Sequence, residues 1–417
     1  MSEPGSEPWR RAEAARLIDF GRGAALPRGG FGWLDARGQV DTTKPCPLYI
    51  NSRMTYVFTL AHLDGAAGFA GSAGSAGSAG SRALAESGLL ALVSRYADGE
   101  NGGWFSSLDL AGRVIDGTKA NYAHAVTLLA TSSALAAGLP GAEAAFTATA
   151  AAIERHFWSD AEGCTRESWN ADFTEPESYR GANSNMHSLE AYLAAGDVTG
   201  DPVWHARAMS IASNLINGHA RAHAWRIPEH YNEKWQPLPD YNLDHRDHQF
   251  RPYGTTPGHS LEWARLLLSL EAAQASPPGW LLEAATALFD TAVADAWSSD
   301  GHPGFVYTVD SDGRAVVSVR LHWVQCEAVL AADALHRRTG EERFAAAATP
   351  WWGEIERYFI DRTGGGWWHE LTPDMTPAAS TVSGKPDLYH AYQAVLFPSL
   401  PLSPVAATAM AAGLPRS

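Results

Sequence analysis

Six clusters of polar residues recur along this chain at intervals of about 65 residues, and each opens a segment with helical spacing of its apolar residues. The clusters read NSRMTY from Asn51, NYAHA from Asn121, NSNMHSLEAY from Asn183, TPGHSLEW from Thr256, LHWVQCEA from Leu321 and KPDLYHAYQA from Lys385. Helical segments without such a start lie between them. This alternation constrains the fold more than any other feature, because it divides the helices into two classes.

About twelve helical segments are expected, and their order predicts an all-α protein with an (α/α)6 barrel. The segments begin near Trp9, Ser52, Ala83, Lys119, Ala142, Asn183, Pro202, Gly258, Gly279, Arg320, Glu342 and Lys385. Six inner helices would bring their polar ends around one pocket, and six outer helices would cover them. Residues 1–417 would then form a single domain. The alternative is an α-solenoid, in which the polar starts are ordinary helix caps and surface residues.

Strand signals are scarce and predict only short β-hairpins in the loops. The clearest hairpin joins residues 306–309 to residues 315–317 through the turn Asp-Ser-Asp-Gly. Three weaker strand candidates cover residues 103–105, 163–167 and 366–369. Residues 65–81 read GAAGFAGSAGSAGSAGS, a low-complexity composition that predicts a flexible surface loop.

Composition excludes several functional classes. The net charge is −15, from 31 Lys and Arg against 46 Asp and Glu, which argues against a nucleic-acid partner. No run of apolar residues is long enough to span a membrane, and residues 1–20 lack the apolar core of a secretory signal. The three widely spaced cysteines do not form a disulfide framework. A cytoplasmic globular protein fits best, with homo-oligomerisation left open.

Three histidines occupy matching places, about one turn into three of the inner helices. They are His187, His259 and His390. Each has a polar companion three residues later, on the same helix face. The companions are Glu190, Glu262 and Gln393. A companion can hydrogen-bond the imidazole or a substrate and so fix the tautomer of the histidine. A single histidine at a helix start is more often a cap or a core residue, but three at equivalent positions favour a site.

A metal centre is the first alternative. His245, His248 and His259, with Asp244 and Asp247, form a cluster rich in ligand types. The HRDH spacing differs from the HExxH helix motif of zinc hydrolases. Residues 241–253 also lack helical periodicity and predict a loop, so we expect no metal and no other cofactor.

A glycoside hydrolase is the second alternative, because such enzymes place two carboxyl groups about the scissile bond. Glu190, Glu262 and Glu327 are the candidates, but each lies about a turn deeper than a histidine position or beside one. Motifs for a serine nucleophile or for a nucleotide do not occur.

Cationic and aromatic residues near the polar clusters are candidates for binding a sugar. Arg53 opens the second helical segment, and Arg251 precedes His259 in a loop that could reach the same pocket. Tyr122 and Trp323 could stack on the apolar face of a sugar ring. Core packing is the alternative role for the two aromatic residues.

The clusters together resemble the N-acylglucosamine 2-epimerase superfamily, whose members are (α/α)6 barrels. The strings SRMTYVF, RGANSNMHSLEAYLA, TPGHSLEWARLL, LHWVQCEAVLAA and GKPDLYHAYQAVLFP carry the resemblance, which covers nearly the whole chain. The last string is similar to the aldose–ketose isomerase branch, which acts on mannose or sulfoquinovose. Epimerases acting on N-acylglucosamine or cellobiose usually differ around that last histidine.

The resemblance implies a single catalytic domain that binds a monosaccharide and needs no metal. His259 and His390 would be the acid/base pair, in either order. The sugar site would be lined by Arg53, Asn183, His187 and Glu262, with Arg251, Trp323, Tyr122, Glu327 and Gln393 as further candidates. The implied reaction interconverts mannose and fructose through a cis-enediol(ate). Sulfoquinovose isomerisation, sugar 2-epimerisation and a non-catalytic carbohydrate-binding barrel remain as alternatives.

Overall fold

The computed structural model describes residues 2–66 and 74–415 and contains thirteen α-helices in these ranges. They are α1 Glu7–Gly21, α2 Leu48–Ala66, α3 Gly74–Ala91, α4 Asn121–Ala136, α5 Ala142–Ala152, α6 Ala182–Thr199, α7 Pro202–Ala212, α8 Pro257–Ala272, α9 Trp280–Ala296, α10 His322–Thr339, α11 Glu342–Glu354, α12 Tyr389–Leu396 and α13 Ala406–Ala411. The twelve expected helices are all present, and α13 is an addition.

The helices form two concentric rings. The even-numbered helices α2 to α12 contact one another in order, and α12 closes the ring by packing against α2. Each odd-numbered helix from α3 to α11 packs outside the inner helix that precedes it, and α1 packs outside α12. The predicted (α/α)6 barrel is therefore confirmed, because an α-solenoid would leave the two ends of the array apart.

Burial separates the two rings. In the inner helix α8 almost every residue is buried, as expected for a helix surrounded by neighbours. In the outer helix α9 the buried residues recur every three or four positions and form one face.

Local signals set the helix ends. Asp201 caps α7 by accepting from the Val203 backbone N–H at 3.0 Å, and Gly200 ends α6 with φ of 71°.

Thirteen short strands lie in the loops of the residues that the structure describes. They are β1 Cys46–Pro47, β2 Ser107–Leu108, β3 Val114–Asp116, β4 Lys119–Ala120, β5 Trp158–Ser159, β6 Cys164–Thr165, β7 Ser168–Trp169, β8 Arg180–Gly181, β9 His230–Tyr231, β10 Thr308–Val309, β11 Ala315–Val317, β12 Arg320–Leu321 and β13 Glu370–Leu371. All pairings are antiparallel: a β1-β2-β3 sheet and the pairs β4-β7, β5-β6, β8-β9, β10-β11 and β12-β13. The predicted β10-β11 hairpin is confirmed, and β6 lies inside the candidate at 163–167. Residues 103–105 and 366–369 make only single bridges, through Trp104 and Trp367.

Three of these strand pairs fix the start of an inner helix. Strands β4, β8 and β12 lead directly into α4, α6 and α10, and each pairs with a strand from the following loop. The backbone N–H of the first helix residue then donates to the residue just before that partner strand. These residues are Glu167, Glu229 and His369. The repeat brings side chains from distant loops to the same end of the barrel.

The expectation of a flexible loop over residues 65–81 is wrong for the part that can be compared. Residues 65–66 end α2, and residues 74–81 belong to α3; residues 67–73 lie outside the described ranges. Small side chains let these two helices approach closely, since a Cβ on Gly65 would lie 2.9 Å from that of Ser78. The Ser78 hydroxyl also lies 3.0 Å from Nδ1 of His62. Across the described ranges, the model contains no helix both long and apolar enough to cross a membrane.

Candidate active site

A cavity of about 610 Å³ opens at the barrel end where the inner helices begin. Every inner helix contributes a residue of its first turns to this cavity. The predicted residues that line it are Arg53, Tyr122, Asn183, His187, His259, Glu262, Trp323 and His390. The structure therefore brings eight of the eleven predicted site residues together.

His259 is held by a carboxylate that comes from another part of the chain. Its Nδ1 lies 3.0 Å from both carboxylate oxygens of Glu229. Because an ionised carboxylate only accepts hydrogen bonds, Nδ1 is the nitrogen that donates, and in the neutral imidazole Nε2 is then the acceptor. Glu229 also accepts from the backbone N–H of Thr256 at 3.2 Å, just before α8. The carboxylate thus fixes both the tautomer of His259 and the start of its helix.

His390 has a similar arrangement with a carboxyl group from α10. Its Nδ1 lies 2.8 Å from Oε1 of Glu327, and the other oxygen of Glu327 accepts from Arg265 Nε at 3.0 Å. Burial lowers the pKa of His390 well below its ordinary value, and the nearby cation of Arg53 adds to this. His390 is therefore neutral near pH 7, in the form that accepts a proton.

Trp323 links the two histidines. The centre of its ring lies 5.2 Å from that of His259 and 5.7 Å from that of His390. Both imidazoles therefore flank one aromatic side chain and line one cavity.

His187 lies on the neighbouring helix α6 and pairs with the predicted companion. Its Nδ1 is 3.4 Å from Oε2 of Glu190, and the ring of Tyr122 packs edge-on against it at 5.0 Å. Burial lowers the pKa of His187 although Glu190 opposes the shift. Burial also opposes the ionisation of Glu190, but the hydrogen bond to His187 and the charge of Arg265 lower its pKa to about 2.

Three buried carboxyl groups surround one guanidinium below the histidines. Arg265 lies 3.8 Å from Glu190, 3.6 Å from Glu262 and 3.0 Å from Glu327. One cation cannot balance three buried anions. Burial and the neighbouring Glu327 raise the pKa of Glu262 well above its ordinary value, and burial also raises the pKa of Glu327, so the protonated form is favoured most at Glu262. Within the described ranges, its Oε1 is buried without a hydrogen-bond partner.

Arg53 is the one arginine or lysine among the described residues that line the cavity. Its Nη1 donates to Asp387 at 3.1 Å, and its guanidinium lies 4.7 Å from the centre of the Tyr389 ring. The other oxygen of Asp387 accepts from the Tyr389 backbone at 2.9 Å. The positive charge in the cavity is therefore already balanced by a buried carboxylate.

Three predicted residues lie outside the cavity lining. Arg251 requires a correction: its guanidinium donates to both oxygens of Glu177 at 2.7 and 2.9 Å and stacks on Tyr179 at 4.0 Å. Residues 241–253 contain only turns and bends, as predicted, but this loop turns Phe250 rather than Arg251 toward the cavity.

The other two, Glu327 and Gln393, lie one level deeper and contact the residues of the site instead. Gln393 Nε2 donates to Tyr56 and to Glu190 over 3.4 Å. Glu327 bonds His390 and Arg265, as described above.

Several residues of the site were not singled out from the sequence. They are Glu229, Arg265, His322, His369 and Asp387. Arg265 and Asp387 lie inside the strings that carry the family resemblance. Glu229 and His369 follow no helical pattern, but they occupy equivalent places before β9 and β13, so a search for repeats in the loops could have found them.

Among the residues with described positions, two groups of side chains bring together atoms that could bind a metal. They are His187, Glu190 and Glu262, and Glu262, Glu327 and His390, each with donor atoms within 4.8 Å of one another. Both groups surround Arg265, whose guanidinium already balances part of their charge. The metal cluster proposed from the sequence does not form in the described residues: His259 is held by Glu229, and Nδ1 of His248 accepts from the backbone of Phe250 and Arg251.

Comparisons with known proteins agree with this fold. Residues 29–394 match the N-acylglucosamine 2-epimerase (GlcNAc 2-epimerase) family. The chain is 49% identical over 404 residues to a D-mannose isomerase of Thermobifida fusca, covering 97% of this chain and 96% of that protein. A D-mannose isomerase of Pseudomonas cannabina pv. alisalensis is 45% identical over 416 residues, covering 99% and 97%. A crystal structure of D-mannose isomerase superposes with a TM-score of 0.86 at 30% identity, covering 95% of this chain and 98% of that one.

Proposed function

The chain belongs to the N-acylglucosamine 2-epimerase family, and we propose that it is an aldose–ketose isomerase that interconverts D-mannose and D-fructose. One observation carries this proposal: two imidazoles, each held by a carboxyl group at Nδ1, share one cavity and one aromatic wall. The identity of the substrate is inferred from the relatives, and the acid/base chemistry is inferred from the residues that line the cavity. The proposal treats the whole barrel as one catalytic domain, and its buried free thiols fit a cytoplasmic location.

The reaction is a proton shift between C2 and C1 through a cis-enediol(ate). His390 is the base that takes the proton from C2 of the open-chain aldose and returns it to C1. Its ring is neutral near pH 7 and can therefore accept a proton. His259 opens the sugar ring and moves the proton between O1 and O2. Glu229 stabilises the imidazolium that forms when His259 takes a proton.

The developing enediolate needs hydrogen-bond donors close to its oxygens. Arg53 supplies one, since its guanidinium lines the cavity and only part of it is used by Asp387. Protonated Glu262 supplies a second from below. His187 is the weaker candidate for this role, because burial favours its neutral form.

The charge of the cavity favours a neutral sugar over sulfoquinovose. A sulfonate needs a cation that is not already neutralised. Arg53 is paired with Asp387, and Arg251 is paired with Glu177 outside the cavity lining. We therefore assign D-mannose as the substrate and expect no turnover of sulfoquinovose.

The test is incubation of the protein in D₂O with mannose, fructose, glucose and, separately, sulfoquinovose, with products followed by NMR. Deuterium at C1 of fructose formed from mannose is the expected result, because the proton held on His390 exchanges with D₂O before it is returned. Glucose formed from mannose with deuterium at C2, and without fructose, would instead identify a 2-epimerase. Binding of oligosaccharides without conversion of any monosaccharide would refute the isomerase.

A further inference from the structure

His322, the first residue of α10, lines the cavity without any bond to its side-chain nitrogens. Only 4% of the residue is exposed, and neither Nδ1 nor Nε2 has a hydrogen-bond partner within the described ranges. Its position is fixed through the backbone, where its N–H donates to the carbonyl of His369 at 3.0 Å. Buried polar atoms in proteins nearly always have a partner, so this imidazole is completed by something that enters the cavity.

We propose that His322 hydrogen-bonds a hydroxyl group of the sugar outside the reacting C1–C2 pair, and thereby contributes to substrate specificity. This inference rests on the isomerase function proposed above. It adds a substrate-binding residue that neither the sequence pattern nor the acid/base pair requires.

The surroundings of His322 select the kind of group that it can bind. Its ring stacks on that of His369 with 3.8 Å between the ring centres. His369 is already engaged, because its Nε2 lies 3.1 Å from the carbonyl oxygen of Asp387 and donates to it. Burial, with His369 as a neighbour, lowers the pKa of His322 well below its ordinary value. A neutral imidazole offers one donor and one acceptor, which matches a hydroxyl rather than a phosphate or a sulfonate.

The position of His322 relative to the acid/base pair indicates which part of the sugar it meets. The centre of its ring is 6.4 Å from that of His390, and the two rings are nearly perpendicular. His390 and His259 act at C1, C2 and the ring oxygen. A sugar placed between them reaches His322 with a hydroxyl further along the carbon chain, at C3, C4 or C6.

The experiment combines two variants with four sugars. The substrates are D-mannose and its 3-deoxy, 4-deoxy and 6-deoxy analogues, and kcat and KM are measured for each. His322→Phe keeps the stacking on His369 and removes both nitrogens. His336→Phe is the matched control, since His336 belongs to the last turn of the same helix, away from the cavity. Unfolding by urea checks that each variant folds.

We expect His322→Phe to lower kcat/KM for mannose by about 10-fold or more, because a buried hydrogen bond is lost. One deoxy analogue should be a poor substrate for the wild type and show little further loss in the variant. For the other two analogues, His322→Phe should lower kcat/KM by the same factor as for mannose. The His336→Phe variant should match the wild type on all four sugars. If His322→Phe does not fold, His322→Asn is used instead. The His322→Asn variant should change the loss of kcat/KM that is caused by removing the same single hydroxyl group.

The outcomes separate this inference from the proposed function. Absence of mannose turnover by the wild type would refute the isomerase and, with it, the role of His322. Turnover by the wild type with an equal loss on all four sugars would show that His322 acts only through the structure. Wild-type activity on mannose that His322→Phe leaves unchanged would refute the inference alone.

Discussion

The Glu229→Gln variant tests the geometry on which the acid/base assignment of His259 depends. Glu229 is buried, and both of its oxygens lie 3.0 Å from Nδ1 of His259, while Oε1 also accepts from Thr256. Glutamine has nearly the same shape and keeps an acceptor for Thr256. Its amide NH₂ then replaces one of the two oxygens that face Nδ1 and the negative charge is lost, which favours the tautomer with the proton on Nε2. That tautomer cannot act as a base toward the sugar.

The magnitude follows from the lost charge. A hydrogen bond to a charged group is worth about 1.5–3 kcal/mol, or roughly 10- to 150-fold in rate. Coulomb's law gives roughly 5 kcal/mol for unit charges 3.0 Å apart at an effective dielectric constant of about 20, which sets an upper bound. We therefore expect kcat for mannose to fall about 100-fold, with a much smaller change in KM.

The assay measures kcat and KM with mannose for the forward reaction and with fructose for the reverse reaction. Unfolding by urea checks the stability of the variant. Glu162→Gln is the matched control: that carboxylate pairs with Arg180 outside the cavity lining, and its loss should affect stability but not kcat. Should Glu229→Gln retain kcat within threefold of the wild type, the carboxylate would not control His259, and the assignment would fail.

Four further predictions concern the same site and its surroundings. His259→Ala and His390→Ala should each lower kcat at least about 100-fold while unfolding by urea stays cooperative, and near wild-type turnover in either would contradict the acid/base pair. Glu262→Gln, which mimics the protonated acid, should keep kcat/KM within about 10-fold, whereas Glu262→Ala should lose more; the reverse order would show that Glu262 acts as an anion. Activity should survive dialysis against EDTA, and a loss that zinc or manganese restores would favour a metal enzyme. The pKa of buried His124 falls to about 4, so the unfolded chain binds its proton first, and His124 alone should lower the free energy of unfolding by about 3 kcal/mol as the pH drops from about 6.5 to 4. Urea titrations should show a smaller fall in His124→Gln, and an equal fall would assign the effect to other groups.

The helical part of the site could be predicted because its signals are local. His187, His259 and His390 each lie one turn into an inner helix, and the same periodicity that predicts the helix also places the side chain at the barrel end. Among the described contacts, Glu190 is the one companion at the third position that contacts its histidine, whereas Glu229 holds His259 and Glu327 holds His390. Glu190 and Glu262 lie beneath the histidines, as their spacing indicates.

The parts of the site that come from loops could not be predicted in the same way. Glu229 reaches His259 through the pairing of β8 with β9, which depends on contacts between distant segments. For the same reason the sequence around Arg251 does not show which way its loop faces. Gly/Ser/Ala composition is equally compatible with a linker and with closely packed helices. The prediction of a loop is therefore wrong for residues 74–81, which belong to helix α3.

The order in which the inner ring is assembled has a consequence for biosynthesis. The ring closes only when α12 packs between α10 and α2, and α12 is also the helix that carries His390. A ribosome therefore makes the proposed base only after it has made the inner helices α2 to α10. A nascent chain interrupted anywhere before residue 389 leaves an open arc of helices, and we expect such a fragment not to turn over sugar however much of its core has already formed.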